Sequence, residues 1–214
     1  MPSNPPVTFE NSDAEPGPLA GFRVLDLTTM ISGPMATCVL GDQGADVIKI
    51  EAPGIGDLVR RLGVPREGIT ATFATTNRNK RSLVLDLKEE ADLAAFRKLV
   101  TTADVVVQNF RPGVVERMGI GCDALREIKP DLIFVSISGC GANGPFSGKS
   151  VYAPVIQALS GLATIQGDRG MGRPKMMRLV IPDKITAMTA AQAITAALLA
   201  RVRTGKGQHV RLSM

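Results

Sequence analysis

The sequence predicts an α/β domain, doubly wound around a mostly parallel sheet. Two observations point there. Strand-like and helix-like patterns alternate about five times along the 214 residues. The strand-like runs are also continuous in Val, Ile and Leu, as expected of strands covered on both faces. A hydrophobic content of 44% supplies a sizeable core, and 22 Gly and 14 Pro supply the turns between elements.

The elements follow in order. "RVLDL" (23–27) reads as the first strand and "GPMATCVLGDQG" (33–44) as a helix with Pro34 in its first turn and Gly44 at its end. "ADVIKIE" (45–51) is a second strand, followed by a loop rich in Gly, Arg and Thr to about residue 80. "RSLVLDL" (81–87) is a third strand. "KEEADLAAFRKLVTTA" (88–103) is an amphipathic helix with acids early and bases late, as the helix dipole favours. "DVVVQNF" (104–110) is a fourth strand, and helical turns around 113–118 and 123–129 lead to a fifth, "DLIFVSISG" (131–139). A helix over 150–164, a long helix over about 184–203 and a strand at "HVRLSM" (209–214) complete the pattern. Residues 1–20, rich in Pro and polar side chains, read as a loose arm, leaving 21–214 as one domain.

Composition excludes several functions. Aromatics are 4% of the chain and Trp is absent, which argues against stacking platforms for single-stranded nucleic acid. The net charge of +5 is spread along the chain, a pattern better suited to a small phosphate-bearing ligand than to a nucleic-acid-binding arm. The three cysteines, Cys38, Cys122 and Cys140, lack CxxC spacing and His209 is the sole histidine, so no metal site of the zinc type is expected. Cys38 and Cys140 read as small core hydrophobes. The first twenty residues lack the basic and apolar regions of a secretory signal, and the apolar stretch 185–200 is too short and too interrupted to span a bilayer. A reduced, cytoplasmic setting without a membrane partner is the expectation.

In such a fold the ligand sits at the carboxyl ends of the strands. The first strand ends at "LTTMISGP", where no G-x-G-x-x-G occurs, so Glu51 at the end of the second strand is poor evidence for a nicotinamide cofactor. P-loop and G-x-S-x-G motifs are absent too. Basic residues remain as candidate phosphate contacts: Arg60, Arg61, Arg66, Arg78, Lys80, Arg81, Arg111 and Arg117, each of which also reads as an ordinary surface charge. In "RLVIPDKITAM" (178–188) an apolar run meets Pro182, and Asp183 precedes the long helix. On these residues alone Asp183 reads either as a helix N-cap or as a nucleophile.

Taken together, the stretches resemble one family. "GPLAGFRVLDLTTMISGPMATCVLGDQGADVIKIE" resembles the opening of the class III CoA-transferases, which include formyl-CoA and carnitine CoA-transferases and α-methylacyl-CoA racemases. Further matches follow in order: "GD" (56–57), "NRNKRSLVLDLK" (77–88), "ADVVVQNFRPGVVERMGIG" (103–121), "ISGCGANGP" (137–145), "QALSGL" (157–162), "IPDKITAM" (181–188) and "ALLARVRTGKGQHVRLSM" (197–214). The resemblance implies a Rossmann-like large domain whose second, smaller domain is missing. It implies CoA transfer from an acyl-CoA donor to a carboxylate acceptor, with Asp183 as nucleophile and aspartyl-CoA and mixed-anhydride intermediates. Tyr152 reads either as core packing or as a catalytic residue lining the thioester site, and the resemblance places CoA contacts at Thr29, Met30, Ser32, Asn79, Lys80, Asn109, Phe110, Arg117 and Met118. It further implies an interlocked homodimer for the full-length protein. Two alternatives stay open: a CoA-binding fragment without turnover, and an acyl-CoA racemase or isomerase. Racemase members carry a catalytic His at the position of Tyr152, which weakens the latter. For the acceptor acid, "KMMR" (175–178) offers Lys175 and Arg178 as possible carboxylate contacts.

Overall fold

The computed structural model describes residues 16–168, 170 and 172–214; most of the predicted arm, residues 1–15, lies outside them. Pro16–Ala20 are not loose. Leu19 is buried in the core, and its backbone N–H donates to Gln43 O.

Six strands form a wholly parallel sheet: β1 (Arg23–Asp26), β2 (Asp46–Glu51), β3 (Lys80–Val84), β4 (Val105–Gln108), β5 (Ile133–Ser138) and β6 (His209–Ser213), in the order β3-β2-β1-β4-β5-β6. The direction of winding reverses between β1 and β4, so the carboxyl ends of these two strands flank the crevice where such sheets bind ligands.

Alternating side chains serve two cores. Val24, Val47, Val105, Val107, Ile133 and Val135 face one layer of helices, among them α1 (Ser32–Asp42). Leu25, Ile48, Ile50, Val106 and Phe134 face the other layer, which includes α3 (Glu90–Val100). The continuous apolar runs are therefore buried on both sides, as predicted. The edge strand β3 departs from this: Leu83 and Val84 are exposed, and the strand ends at Val84, so residues 85–87, predicted as strand, form a crossover.

Other differences have local causes. The predicted loop before residue 80 contains α2 (Ala71–Asn77), whose N-cap Thr70 accepts a hydrogen bond from Phe73 N. The predicted helix 150–164 divides into α6 (Ala153–Leu159) and α7 (Leu162–Ile165) because Gly161, at φ 78, takes a left-handed conformation that ends the first. Between β4 and β5 lie α4 (Val114–Arg117) and α5 (Cys122–Ile128), near the predicted turns.

The last helix, α8 (Ile181–Thr204), starts three residues before its predicted position. Val180 is the N-cap and Ile181 and Pro182 open the first turn, so the proline starts the helix rather than stopping a strand. Asp183 is thus the third helical residue and not the cap. At 24 residues α8 exceeds the apolar stretch read from the sequence and is long and apolar enough to cross a membrane by composition. Here Ala187, Ala190, Ala191, Ile194 and Leu198 instead bury one side of it in the core alongside α1 residues Ala36 and Leu40.

Candidate active site

Between β1 and α1 the chain makes a tight, heavily bonded turn. Asp26 Oδ1 accepts from both Thr28 N and Thr28 Oγ1. Asn109, just past β4, takes Thr29 N on its Oδ1 (3.0 Å) and donates from Nδ2 to Thr29 O (2.8 Å). Asp57 Oδ1 accepts Met30 N at 3.0 Å. Met30 has φ 71, an unfavourable value for a residue with a Cβ. Gly33 follows where the helix start meets Thr28 so closely that a Cβ would collide with the threonine side chain. This is the "LTTMISG" segment, and it is built without the phosphate-binding glycines of a dinucleotide fold.

Opposite the turn, α8 delivers Asp183, with 9% of its surface exposed. Gln157 fixes the approach to α8: it accepts Met177 N (2.8 Å) and donates to Met177 O and Leu179 O. Burial pushes the Asp183 carboxyl above the ordinary aspartate value of 3.8, while the backbone N–H groups of Asp183 itself and Ser32 act in the opposite direction. Its position in the first turn of α8 also favours the anion.

A cleft of about 270 Å³ opens on this carboxylate and is lined by Thr29, Met30, Ser32, Asn109, Phe110, Tyr152 and Asp183, seven of the residues singled out by the family resemblance. Arg111, Ser138, Lys149, Ser150 and Met214 line it too. Next to it lies a second, more apolar slot of about 260 Å³, which shares Thr29 and Phe110 with the first and is bounded by Ile50, Leu85, Leu87, Lys88, Val114 and Met118.

Three expected contacts lie elsewhere. Lys80 is sealed in the protein: its Nζ donates to Asp26 Oδ2 (2.9 Å), Pro34 O (2.7 Å) and Asn77 Oδ1 (2.8 Å). Burial lowers its pKa against the raising effect of Asp26. Asn79 donates to Asp42 Oδ1 and has φ 59, a conformation asparagine tolerates. Arg117 is exposed at the end of α4 and lines neither cavity, whereas Met118 reaches the slot.

The basic residues do not converge on one point. Arg60 pairs with Glu51 (2.6 Å) and lies over the Phe73 ring at 3.7 Å, Arg81 pairs with Asp46, and Arg78 with Asp42. Glu51 is held by Arg60, Ser82 and Asp57 N, which outweigh the raising effect of burial and bring its pKa to about 2; it is not free for a ribose. Lys175 and Arg178 are exposed and do not line the cleft. Cys38 is buried as expected, but Cys140 is only half-buried. Sequence reasoning assigned no role to Lys49 or Asp57, nor to the 85–88 crossover. A lysine in the middle of the apolar run "DVIKIE" was the available signal, because a buried ammonium requires a partner.

The sequence that builds this site matches a known family. The model of CoA-transferase family III matches residues 19–214. The chain belongs to this family. Acetyl-CoA:oxalate CoA-transferase of Acetobacter aceti is 40% identical over 206 residues, covering 96% of this chain and 53% of that protein. Human succinyl-CoA:glutarate CoA-transferase is 40% identical over 194 residues, or 90% of this chain and 44% of that one. Among solved structures, a CaiB/BaiF family protein from Brucella suis superposes with a TM-score of 0.87 at 37% identity, covering 92% of this chain and 53% of that one. This family III chain thus spans about half the length of the curated relatives it matches.

Proposed function

We propose that the protein transfers CoA between carboxylic acids and that Asp183 carries first the acyl group and then CoA. The observation that carries this reading is the largely buried carboxylate of Asp183, facing the β1–β4 switch point across a cleft that shares Thr29 and Phe110 with a neighbouring apolar slot. In this reading an acyl-CoA spans the two cavities, with adenine toward Leu85, Leu87, Val114 and Met118, the pantetheine arm across Thr29 and Phe110, and the thioester at Asp183. Lys88 beside the slot and Arg111 and Lys149 beside the cleft supply positive charge for the phosphates.

An Asp183 oxygen attacks the thioester carbonyl carbon; the C–S bond breaks, giving a mixed anhydride and CoA thiolate. The thiolate attacks the Asp183 carbonyl carbon and expels the donor carboxylate, leaving an aspartyl-CoA thioester. The acceptor carboxylate attacks that thioester, and the thiolate then takes the acceptor's acyl carbon from the second anhydride and frees Asp183. The backbone N–H of Ser32, the first residue of α1 and part of the cleft lining, is suited to stabilise the charge that develops on the oxyanion. Because burial raises the pKa of the nucleophile, it protonates earlier on acidification than an exposed aspartate, and transfer should fail on the acid side.

The experiment is to incubate the protein with acyl-CoA, trap with hydroxylamine and map the modified peptide. A label at Asp183 that is absent from Asp183→Ala is expected; a label at another residue, or full transfer by Asp183→Ala, refutes the reading. A second reading rests on the openness of the cleft, where Tyr152 is 58% exposed. An anhydride needs protection from water, so this chain alone would bind CoA without turnover. Calorimetric binding without transfer would favour it.

A further inference from the structure

We propose that Asp57, fixed by the buried Lys49, is a positioning residue for the turn that faces the nucleophile, an inference that rests on the reading of Asp183 above. Asp57 is 1% exposed. Its Oδ1 accepts Met30 N at 3.0 Å and Val59 N at 3.1 Å. Its Oδ2 forms an ion pair with Lys49 Nζ at 2.8 Å and accepts no hydrogen bond from the described residues. The same ammonium donates to Thr28 O at 2.9 Å and stands 3.8 Å from Asp26 Oδ2. One buried cation therefore holds both ends of the turn, Thr28 directly and Met30 through Asp57.

The consequence follows from the backbone. Thr28, Thr29 and Met30 each have their N–H taken by a side chain from a different part of the sheet: Asp26 of β1, Asn109 beyond β4 and Asp57 beyond β2. Met30 is held at φ 71, a conformation that persists only where its surroundings enforce it. Two residues later comes Ser32, which lines the cleft together with Asp183. If Asp57 lets go of Met30, the residue relaxes toward negative φ and the 30–32 segment of the cleft wall shifts relative to the carboxylate. A shift of about 1 Å at a reacting centre can cost about 100-fold in rate.

The test compares Asp57→Ala, Asp57→Asn and Thr70→Ala in transfer assays. Thr70 caps α2 and binds Val59 O, so its loss loosens the same loop without touching Met30. Asp57→Ala is expected to lower kcat about 100-fold with KM for acyl-CoA changed less than about fivefold; Asp57→Asn, which keeps an acceptor for Met30 N, should recover to within about tenfold of wild type; and Thr70→Ala should stay within about threefold. A rise in KM with unchanged kcat would mean that Asp57 only lines the slot, and equal losses in Thr70→Ala would mean general loosening; either overturns the proposal. Hydrogen exchange on the unliganded wild type needs no variant to fold: the Met30 amide is expected to be protected as Thr28 is, and free exchange would refute the proposal. If wild type carries no label at Asp183, the functional reading falls and this role with it, while Met30 protection persists, so the two failures are distinguishable.

Discussion

The two walls of the cleft are built differently. The wall formed by residues 28–33 is locked: the backbone is bonded by side chains from three strand ends, above the buried charges of Asp26, Lys49, Asp57 and Lys80. The wall formed by residues 139–152 is open. Phe146 and Tyr152 are half exposed or more, and local turns such as Ser147 N to Gly144 O and Lys149 N to Phe146 O account for its backbone bonds. If the protein acts as proposed, the locked wall holds the part of the ligand shared by every acyl-CoA. The open wall suits what differs between substrates, and a loop with few long-range bonds adapts at little cost.

The largest expected effect lies between the walls. Asp183→Asn should abolish transfer, by about 10⁴-fold or more, as removal of a covalent nucleophile does. It should also leave the melting temperature equal or higher. Burial raises the Asp183 pKa, so its ionised form opposes folding as pH rises above the ordinary 3.8, and the amide removes that opposition. Transfer and thermal melting of one purified variant test both halves; a marked fall in melting temperature would place Asp183 among the residues that hold the fold.

The next effect would break the locked wall from beneath. Lys80→Met keeps the volume but leaves Asp26, 0% exposed, without its nearest cation, and should cost about 3 kcal/mol in denaturant unfolding. Burial would raise the Asp26 pKa, but Lys49, Lys80 and Thr28 outweigh it and hold the carboxyl well below the ordinary 3.8. Its contribution is therefore complete above that value and is lost as pH falls through the depressed one, so the gap between variant and wild type should narrow in acid. A loss under about 1 kcal/mol would mean that Lys49, 3.8 Å away, already suffices.

How far these walls could be read from the sequence differs as well. The alternating pattern placed all six strands and the two-sided core, because continuous apolar runs have one common explanation in an α/β chain. The "GD" at 56–57 and Lys49 were visible as letters. Their partnership was not, since Asp57 reaches across 27 residues to Met30 and only the folded sheet brings them together. Lys80 shows the same limit: a lysine inside a matched motif suggests a ligand contact, and only the fold shows its Nζ buried beside Asp26. Asp183 lies at the predicted junction but three positions deeper in the helix than a cap, because Pro182 starts α8 rather than stopping a strand.

A third expected effect concerns the ring shared by both cavities. Phe110→Ala should weaken CoA binding about ten- to a hundredfold by calorimetry, the usual range for losing one aromatic contact with a base or its neighbouring chain. Free adenosine phosphates should lose less than CoA, because Phe110 borders the slot and the cleft together. Equal losses would confine Phe110 to the slot.

The smallest effect is expected on the open wall. The Tyr152 ring is 58% exposed, and its hydroxyl bonds to none of the described residues, so nothing holds it toward Asp183. Tyr152→Phe should change kcat by no more than about threefold, within the range of an ordinary surface substitution. Tyr152→Ala, which removes the ring from the cleft, should alter the preference among acceptor acids more than the rate with any one of them. A loss in Tyr152→Phe beyond about thirtyfold would require the hydroxyl to act on the reacting atoms. The 139–152 wall would then have to close over Asp183 during turnover, and the contrast between a locked and an open wall would hold only for the unliganded protein.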